Sequence, residues 1–463
     1  MPKLSMVAVY FFASLLGLSA LLVPGPEAFA YYGRHSTEAL LTFSGEADLP
    51  LAGVGTAAEL NRAGIRRDRA LAALDGQIQH LMGTFQSETF REQFGWPGVL
   101  GESYDIRFTA AEPGIEPGRR RLSYVFKGKV VFQKEAFSGH ASRKLSLWLP
   151  LAPDRFYAMG MTHGHNACTD HHYNSEGDFW YFWDPELAGC PLRGNREDVL
   201  YLPASLERLP STQVTYPEYD RLYGDNGNGD ELEIAVFLGY INDLDGAGDL
   251  QDPARGDYGA KALKFVENSL RERGFRLKGG RDAFREHADG KVYPGINFFR
   301  LYENEVGGVK TRVRLLLSDT NVASKDATFH RHVKRALEQS DIVVYDGHSG
   351  LGANLDLRSI GGPVLDPKKY QIFYFNGCSS YPYFNGEYLK AKGGSRNLEI
   401  VLSGLPTYVD SAGPNVTAFL APFLEGKTLS YQAMLRLIEA SNGEENGTYL
   451  TGVIGDEDNR WQK

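Results

Sequence analysis

The stretch 340–381 reads SDIVVYDGHSGLGANLDLRSIGGPVLDPKKYQIFYFNGCSSY. It holds two short apolar runs, Ile342 to Tyr345 and Ile372 to Phe375, each rich in β-branched or aromatic residues and each ending in a glycine-containing turn. Such runs have the composition of parallel strands buried on both faces. His348 follows the first and Cys378 the second. Adjacent parallel strands would put an imidazole and a thiol on the same edge of the sheet, the edge where open α/β sheets place their ligands. A thiol is a useful nucleophile as thiolate, and a neighbouring imidazole is the usual group that deprotonates it. The pair is a candidate Cys/His dyad. The bland alternative is a small buried cysteine and a histidine that caps a turn.

Outward from this stretch, the chain alternates strands and helices. A strand is expected at Ile234 to Tyr240 and a helix at Tyr258 to Arg273, stopped by Gly274. A hairpin is expected around Gly307-Gly308 and a helix from Thr328 to Gln339. After the Cys378 strand come a helix near Tyr383 to Ala391, the strand Leu398 to Leu402 and a closing helix at Tyr431 to Ala440. This order predicts an α/β domain over 216–463, a mostly parallel sheet flanked by helices with right-handed crossovers.

The residues before it read differently. Lys3, the apolar run Met6 to Val23 and Ala28-Phe29-Ala30 have the form of a signal peptide over 1–30, with a retained anchor as the alternative. The segment 31–215 predicts an α+β, β-rich domain. Its first part, to about Gly53, looks like a surface arm. Leu71, Leu74, Ile78 and Leu81 mark a helix between Ala57 and Phe94. Three alternating runs, 124–126, 130–132 and 145–149, suggest a meander broken at Gly128 and at Ser138-Gly139. Phe179 to Trp183 suggests a buried aromatic strand, and Pro203, Pro210 and Pro217 mark a linker.

Composition sets bounds on partners and compartment. A net charge of −9, 23% charged residues and no basic cluster argue against nucleic acid as the main partner. No run after the first thirty residues is apolar enough to span a bilayer. Of the three cysteines, Cys168 and Cys190 can close a disulfide in an exported compartment, periplasmic or extracellular, leaving Cys378 as the odd thiol. His163, His165, His171 and His172 crowd the same segment; His163-x-His165 on a strand would share one face, a spacing that zinc sites use. No full metal signature accompanies them, and a disulfide-closed loop packed with His and aromatic side chains is the favoured reading.

The run Ile234 to Tyr240, the helix ending at Gly274, the segment Ala336 to Gly350 and the block Asn376-Gly377-Cys378 resemble, in that order, the caspase-like fold of cysteine peptidases. That group includes caspases, metacaspases, gingipains, clostripain and legumains. The resemblance covers roughly Glu231 to Gly426, and Asp346-Gly347-His348 and Asn376-Gly377-Cys378 match the family's two catalytic blocks by position and flank. One departure is that Ser349 and Gly350 follow the histidine, where the family has glycine directly.

The resemblance implies cleavage of a peptide bond, with Cys378 attacking the carbonyl, His348 protonating the leaving amine, and Gly347, Gly377 and Ser349 supporting the oxyanion. It also implies a first specificity pocket lined from the loops that carry Asp243 and Asp245, and Tyr408 and Asp410; carboxylates there would suit a basic side chain. Asp243, Asp245 and Asp249 also resemble the start of a calcium loop, although Ala254 stands where the bidentate glutamate belongs. No cofactor is required by this chemistry. Two other functions fit the sequence: an inactive caspase-like domain that binds an envelope partner, and a metal-dependent hydrolase built on the histidines 163–172. The oligomeric state is not readable.

Overall fold

The computed structural model describes residues 31–32, 35–53, 55–95, 97–171, 173–210, 214–224, 231–241, 257–281, 298–318, 327–357, 365–383, 386–405, 407–442 and 448–463. The signal-like segment 1–30 and the aspartates 243, 245 and 249 lie outside these residues. No described helix is long and apolar enough to cross a membrane.

The first half is built on strands β1 (Tyr31–Tyr32), β2 (Ser36–Leu49), β3 (Gly98–Pro113), β4 (Arg120–Gln133) and β5 (Ser142–Pro150). Further along come β6 (Met161–Thr162), β7 (His165–Asn166) and β8 (Val199–Arg208). Five of these form an antiparallel sheet in the order β3-β4-β2-β8-β5. The helix Ile65–Gln86 packs on it through Leu74, Ile78 and Leu81, the stripe that its spacing predicts. Near its end Gly83 meets the backbone of the aromatic turn 180–183: a Cβ there would lie 2.4 Å from the Trp180 carbonyl oxygen and the Trp183 amide nitrogen.

Four expectations for this half need correction. The supposed surface arm is β2, paired with β4 at all 14 positions, Ser36↔Gln133 to Leu49↔Arg120. Its alternate residues Ala39, Leu41, Phe43, Ala47 and Leu49 are buried. Gly128 is no turn but the middle of β4; the rings of Tyr104 and Phe126 stack 5.4 Å apart, and a Cβ at 128 would strike both residues. Pro203, read as linker, lies in β8 opposite Ser146, just before β8 begins to pair with β2 at Ala204. Phe179–Phe182 is a 3-10 helix and not a strand.

The second half carries β9 (Glu231–Gly239), β10 (Arg276–Arg281), β11 (Phe298–Val306), β12 (Val309–Ser318) and β13 (Ile342–Asp346). It ends with β14 (Gln371–Phe375), β15 (Leu398–Leu402) and β16 (Gly452–Ile454). With β1 these make a nine-stranded mixed sheet in the order β1-β16-β15-β14-β13-β9-β12-β11-β10. The five strands β12-β9-β13-β14-β15 run parallel, and antiparallel strands extend both edges. The fold is therefore α/β, joining a mixed sheet with a separate antiparallel one. The hairpin and the helices Tyr258–Glu272 and Ala327–Gln339 fall where their signals lie. Sequence reading missed the helix Ala412–Leu424, masked by Gly413, Pro414 and Pro422, although a proline in the first turn breaks no helical hydrogen bond.

Alternate residues of the central strands face two cores. Ile342, Val344, Ile372 and Tyr374 pack with the helices Tyr258–Glu272, Ala412–Leu424 and Tyr431–Ser441. Val343, Tyr345, Phe373 and Phe375 belong to the same apolar cluster as the first half's Leu41, Phe85, Val99 and Trp183. Burying one such side chain contributes about 1.5–3 kcal/mol, so this shared cluster binds the two halves strongly.

Cys168 and Cys190 form a disulfide across a sequence separation of 22. Its loss removes a constraint on the unfolded chain, and a Cys168→Ala/Cys190→Ala variant is expected to lose about 3 kcal/mol of stability. Urea unfolding of the two proteins checks this; equal midpoints would show the segment holds its shape without the bond.

Candidate active site

β13 and β14 are parallel neighbours in register from Ile342↔Ile372 to Tyr345↔Phe375, and all five residues of each are buried. Beyond their ends the two short blocks meet. The Asn376 amide nitrogen donates to the Tyr345 carbonyl at 2.8 Å, and the Asn376 side chain donates to the Asp346 carboxyl at 2.6 Å. A Cβ at Gly377 would lie 3.1 Å from the Gly347 carbonyl oxygen and 3.4 Å from the Ser349 Cβ. The histidine and cysteine blocks therefore touch through Gly347, Ser349 and Gly377.

His348 is exposed, but its backbone is clamped. Tyr345 Oη and Asn354 Nδ2 both donate to its carbonyl, at 2.6 Å and 2.5 Å. Its Nε2 lies 3.1 Å from the Ile241 carbonyl oxygen. A carbonyl can only accept, so Nε2 carries the hydrogen and Nδ1 of the neutral ring is left with its lone pair. That nitrogen is the one able to take a proton.

Cys378 is partly buried, with Sγ 3.8 Å from both the carbonyl oxygen and Oγ1 of Thr407. The Thr407 hydroxyl itself donates to the Asn376 carbonyl at 3.2 Å. Burial pushes the thiol above its ordinary range, the Thr407 contacts oppose the shift, and the nearby Asp346 carboxyl adds to it. Asp346 is itself raised to about 7 by burial, against the Asn376 hydrogen bond. The resting site thus holds a neutral thiol turned to Thr407 and an imidazole turned to Ile241, with no hydrogen bond between them. Alkylation of Cys378 by iodoacetamide is accordingly expected to run slower than that of free cysteine at pH 7 and to keep rising beyond pH 9, where an ordinary thiol levels off. Labelling rates across pH measured by mass spectrometry test this; a plateau below pH 8 would mean a preformed thiolate.

The other sequence candidates are placed unevenly. Tyr408 and Asp410 are exposed on the turn directly after Thr407. Ile241, which meets the His348 ring, directly precedes the segment that holds Asp243, Asp245 and Asp249, and that segment is outside the described residues. His163 is not on a strand: it and Gly164 have φ of 49° and 86° and form the turn between β6 and β7, which corrects the shared-face expectation. His165 and His171 are exposed, and His172 is outside the described residues. Among the described residues no group of three or more His, Cys, Asp or Glu could hold a metal ion.

Thr407, Asp346 and Asn376 escaped the sequence reading as site residues. A signal for two of them is present, since Asp346-Gly347-His348 and Asn376-Gly377-Cys378 repeat one pattern. Thr407 had none, because it reaches the thiol from a turn 29 positions away. Compared with models of known protein families and with curated proteins, the chain matches none.

Proposed function

We propose that the chain is an exported cysteine endopeptidase of caspase-like architecture, acting through Cys378 and His348. The observation that carries this reading is the pair of adjacent parallel strands, β13 and β14, each delivering one of the two residues at its carboxyl end, with their turns in contact at Gly377. The parallel order β12-β9-β13-β14-β15 supports the architecture. The Cys168–Cys190 disulfide fits an oxidising compartment.

In this mechanism a bound peptide displaces the resting contacts. The thiol proton passes to Nδ1 of His348, and the sulfur attacks the scissile carbonyl carbon. Amides around Gly347, Ser349 and Gly377 would support the developing oxyanion. The imidazolium returns its proton to the departing amine, and water then hydrolyses the thioester. Tyr408 and Asp410, with Asp243 and Asp245, would line the first specificity pocket, and the carboxylates would favour a basic side chain before the cleaved bond.

The neutral thiol and the absent imidazole–thiol hydrogen bond favour a second reading, an inactive domain that binds an envelope partner. One experiment separates them. Peptide amides carrying Arg, Lys or Asp before the cleaved bond are incubated with the full chain, with and without prior iodoacetamide. Hydrolysis lost in step with labelling of Cys378 supports the peptidase; no hydrolysis of any peptide supports the binding domain, and unchanged hydrolysis by a fully labelled protein removes Cys378 from the chemistry and overturns both.

A further inference from the structure

We propose that the disulfide-closed segment of the first half is part of the active centre, with Tyr181 a positioning residue that fixes the turn carrying Cys378. The proposal rests on the peptidase reading for its catalytic consequence but not for its geometry.

Ser379, the residue after the candidate nucleophile, has φ of 46° and is fully buried. A residue with a side chain rarely adopts the left-handed region, and it stays there only when its surroundings hold it. Part of the hold comes from the same half: the Ser379 amide donates to the Leu405 carbonyl at 3.0 Å, and the Ser380 hydroxyl donates to the Phe375 carbonyl at 2.6 Å. The rest comes from the first half. Tyr181 Oη donates to Ser379 Oγ, and Tyr381 Oη donates to the Glu38 carboxylate at 3.1 Å. The buried Ser379 hydroxyl thus meets a phenol 198 positions earlier in the chain.

Tyr181 is itself held rigidly. It is 2% exposed, lies in the 3-10 helix between Cys168 and Cys190, and stacks on Tyr173 at 5.0 Å. The Asp184 amide donates to the Cys168 carbonyl at 2.8 Å, and the Thr169 hydroxyl to the Phe179 carbonyl at 2.9 Å. Through Ser379, the residue next to Cys378, the stacked pair Tyr173 and Tyr181 meets the turn that carries the thiol. The aromatic wall is therefore placed to set where the sulfur sits and how much water reaches it.

The test uses Tyr181→Phe, which keeps the ring and its stacking but removes the donor. Cys378 alkylation is followed from pH 6 to pH 10 on the oxidised full chain, with peptide hydrolysis measured beside it. The variant is expected to alkylate faster at pH 7, its profile displaced toward that of free cysteine. Its kcat should fall by about tenfold to a hundredfold with KM within about twofold, as misplacement of a reacting atom predicts. Ser379→Gly supplies the control, since glycine adopts this φ without strain. In the Ser379→Gly background, adding Tyr181→Phe should change neither profile nor kcat. An unchanged alkylation profile in Tyr181→Phe, or an equal shift in both backgrounds, overturns the proposal. A shifted profile in a protein that hydrolyses no peptide would keep the positioning role and remove the peptidase reading instead.

Discussion

Replacing Cys378 by alanine is expected to lower peptide hydrolysis by at least about 10³-fold, the scale on which nucleophile removal acts. No other thiol can substitute, because Cys168 and Cys190 are bonded to each other. Stability should barely move, since alanine removes one sulfur atom whose contacts to Thr407 are long at 3.8 Å; a change within about 1 kcal/mol is expected. His348→Ala should fall less far, by about 10²–10⁴-fold, the usual contribution of a positioned acid–base group. The two losses should not add, because each residue works through the other. Hydrolysis that survives Cys378→Ala would remove the thiol from the mechanism altogether.

Glu399→Gln is expected to stabilise the protein at neutral and mildly alkaline pH. Glu399 is fully buried in β15, where Tyr370 Oη donates to it at 2.6 Å and Tyr431 Oη also donates to it. Burial raises its carboxyl to about 8, against the lowering effect of these hydrogen bonds. In the unfolded chain a glutamate ionises near 4.3. Between those values the unfolded state binds fewer protons than the folded one, so stability falls as pH rises and levels off above about 8. The slope reaches about 1.4 kcal/mol per pH unit. Asp346, raised to about 7, adds a slope of the same sign below that pH. His80 and Lys392, lowered by burial to about 4 and about 7, give slopes of opposite sign, so the test is the difference: in urea unfolding the glutamine variant should gain on the parent steadily from pH 5 to 8. A parent-like slope between 7 and 8 would mean that Glu399 is already ionised in the fold.

The buried strands were legible because nothing else explains their composition. Ile342 to Tyr345 and Ile372 to Phe375 have no polar face, and strands enclosed on both sides need none. From there His348 and Cys378 follow by position alone. β2 was illegible for the opposite reason. Glu38, Ala39, Leu40, Leu41 and Ala47 are helix formers, and Gly45 weakens any strand signal, so only the pairing with β4 and β8 makes this segment extended. The aromatic run 179–183 has strand composition, but the disulfide folds it into a tight turn against Gly83. Tyr181 and Thr407 carry no local mark of their roles, since each depends on a contact between distant parts of the chain.

The hydrogen bond from Tyr381 to Glu38 spans 343 positions, and this separation orders events during synthesis. At about 5–20 residues per second, roughly 20–70 s pass on the ribosome between the emergence of the carboxylate and that of its phenol. Until then one side of the early half's apolar cluster has no cover from the later strands. The turn that bears the thiol takes its final form only after both halves have met. Whatever chemistry Cys378 performs is therefore switched on by the completion of folding, late in the life of the nascent chain.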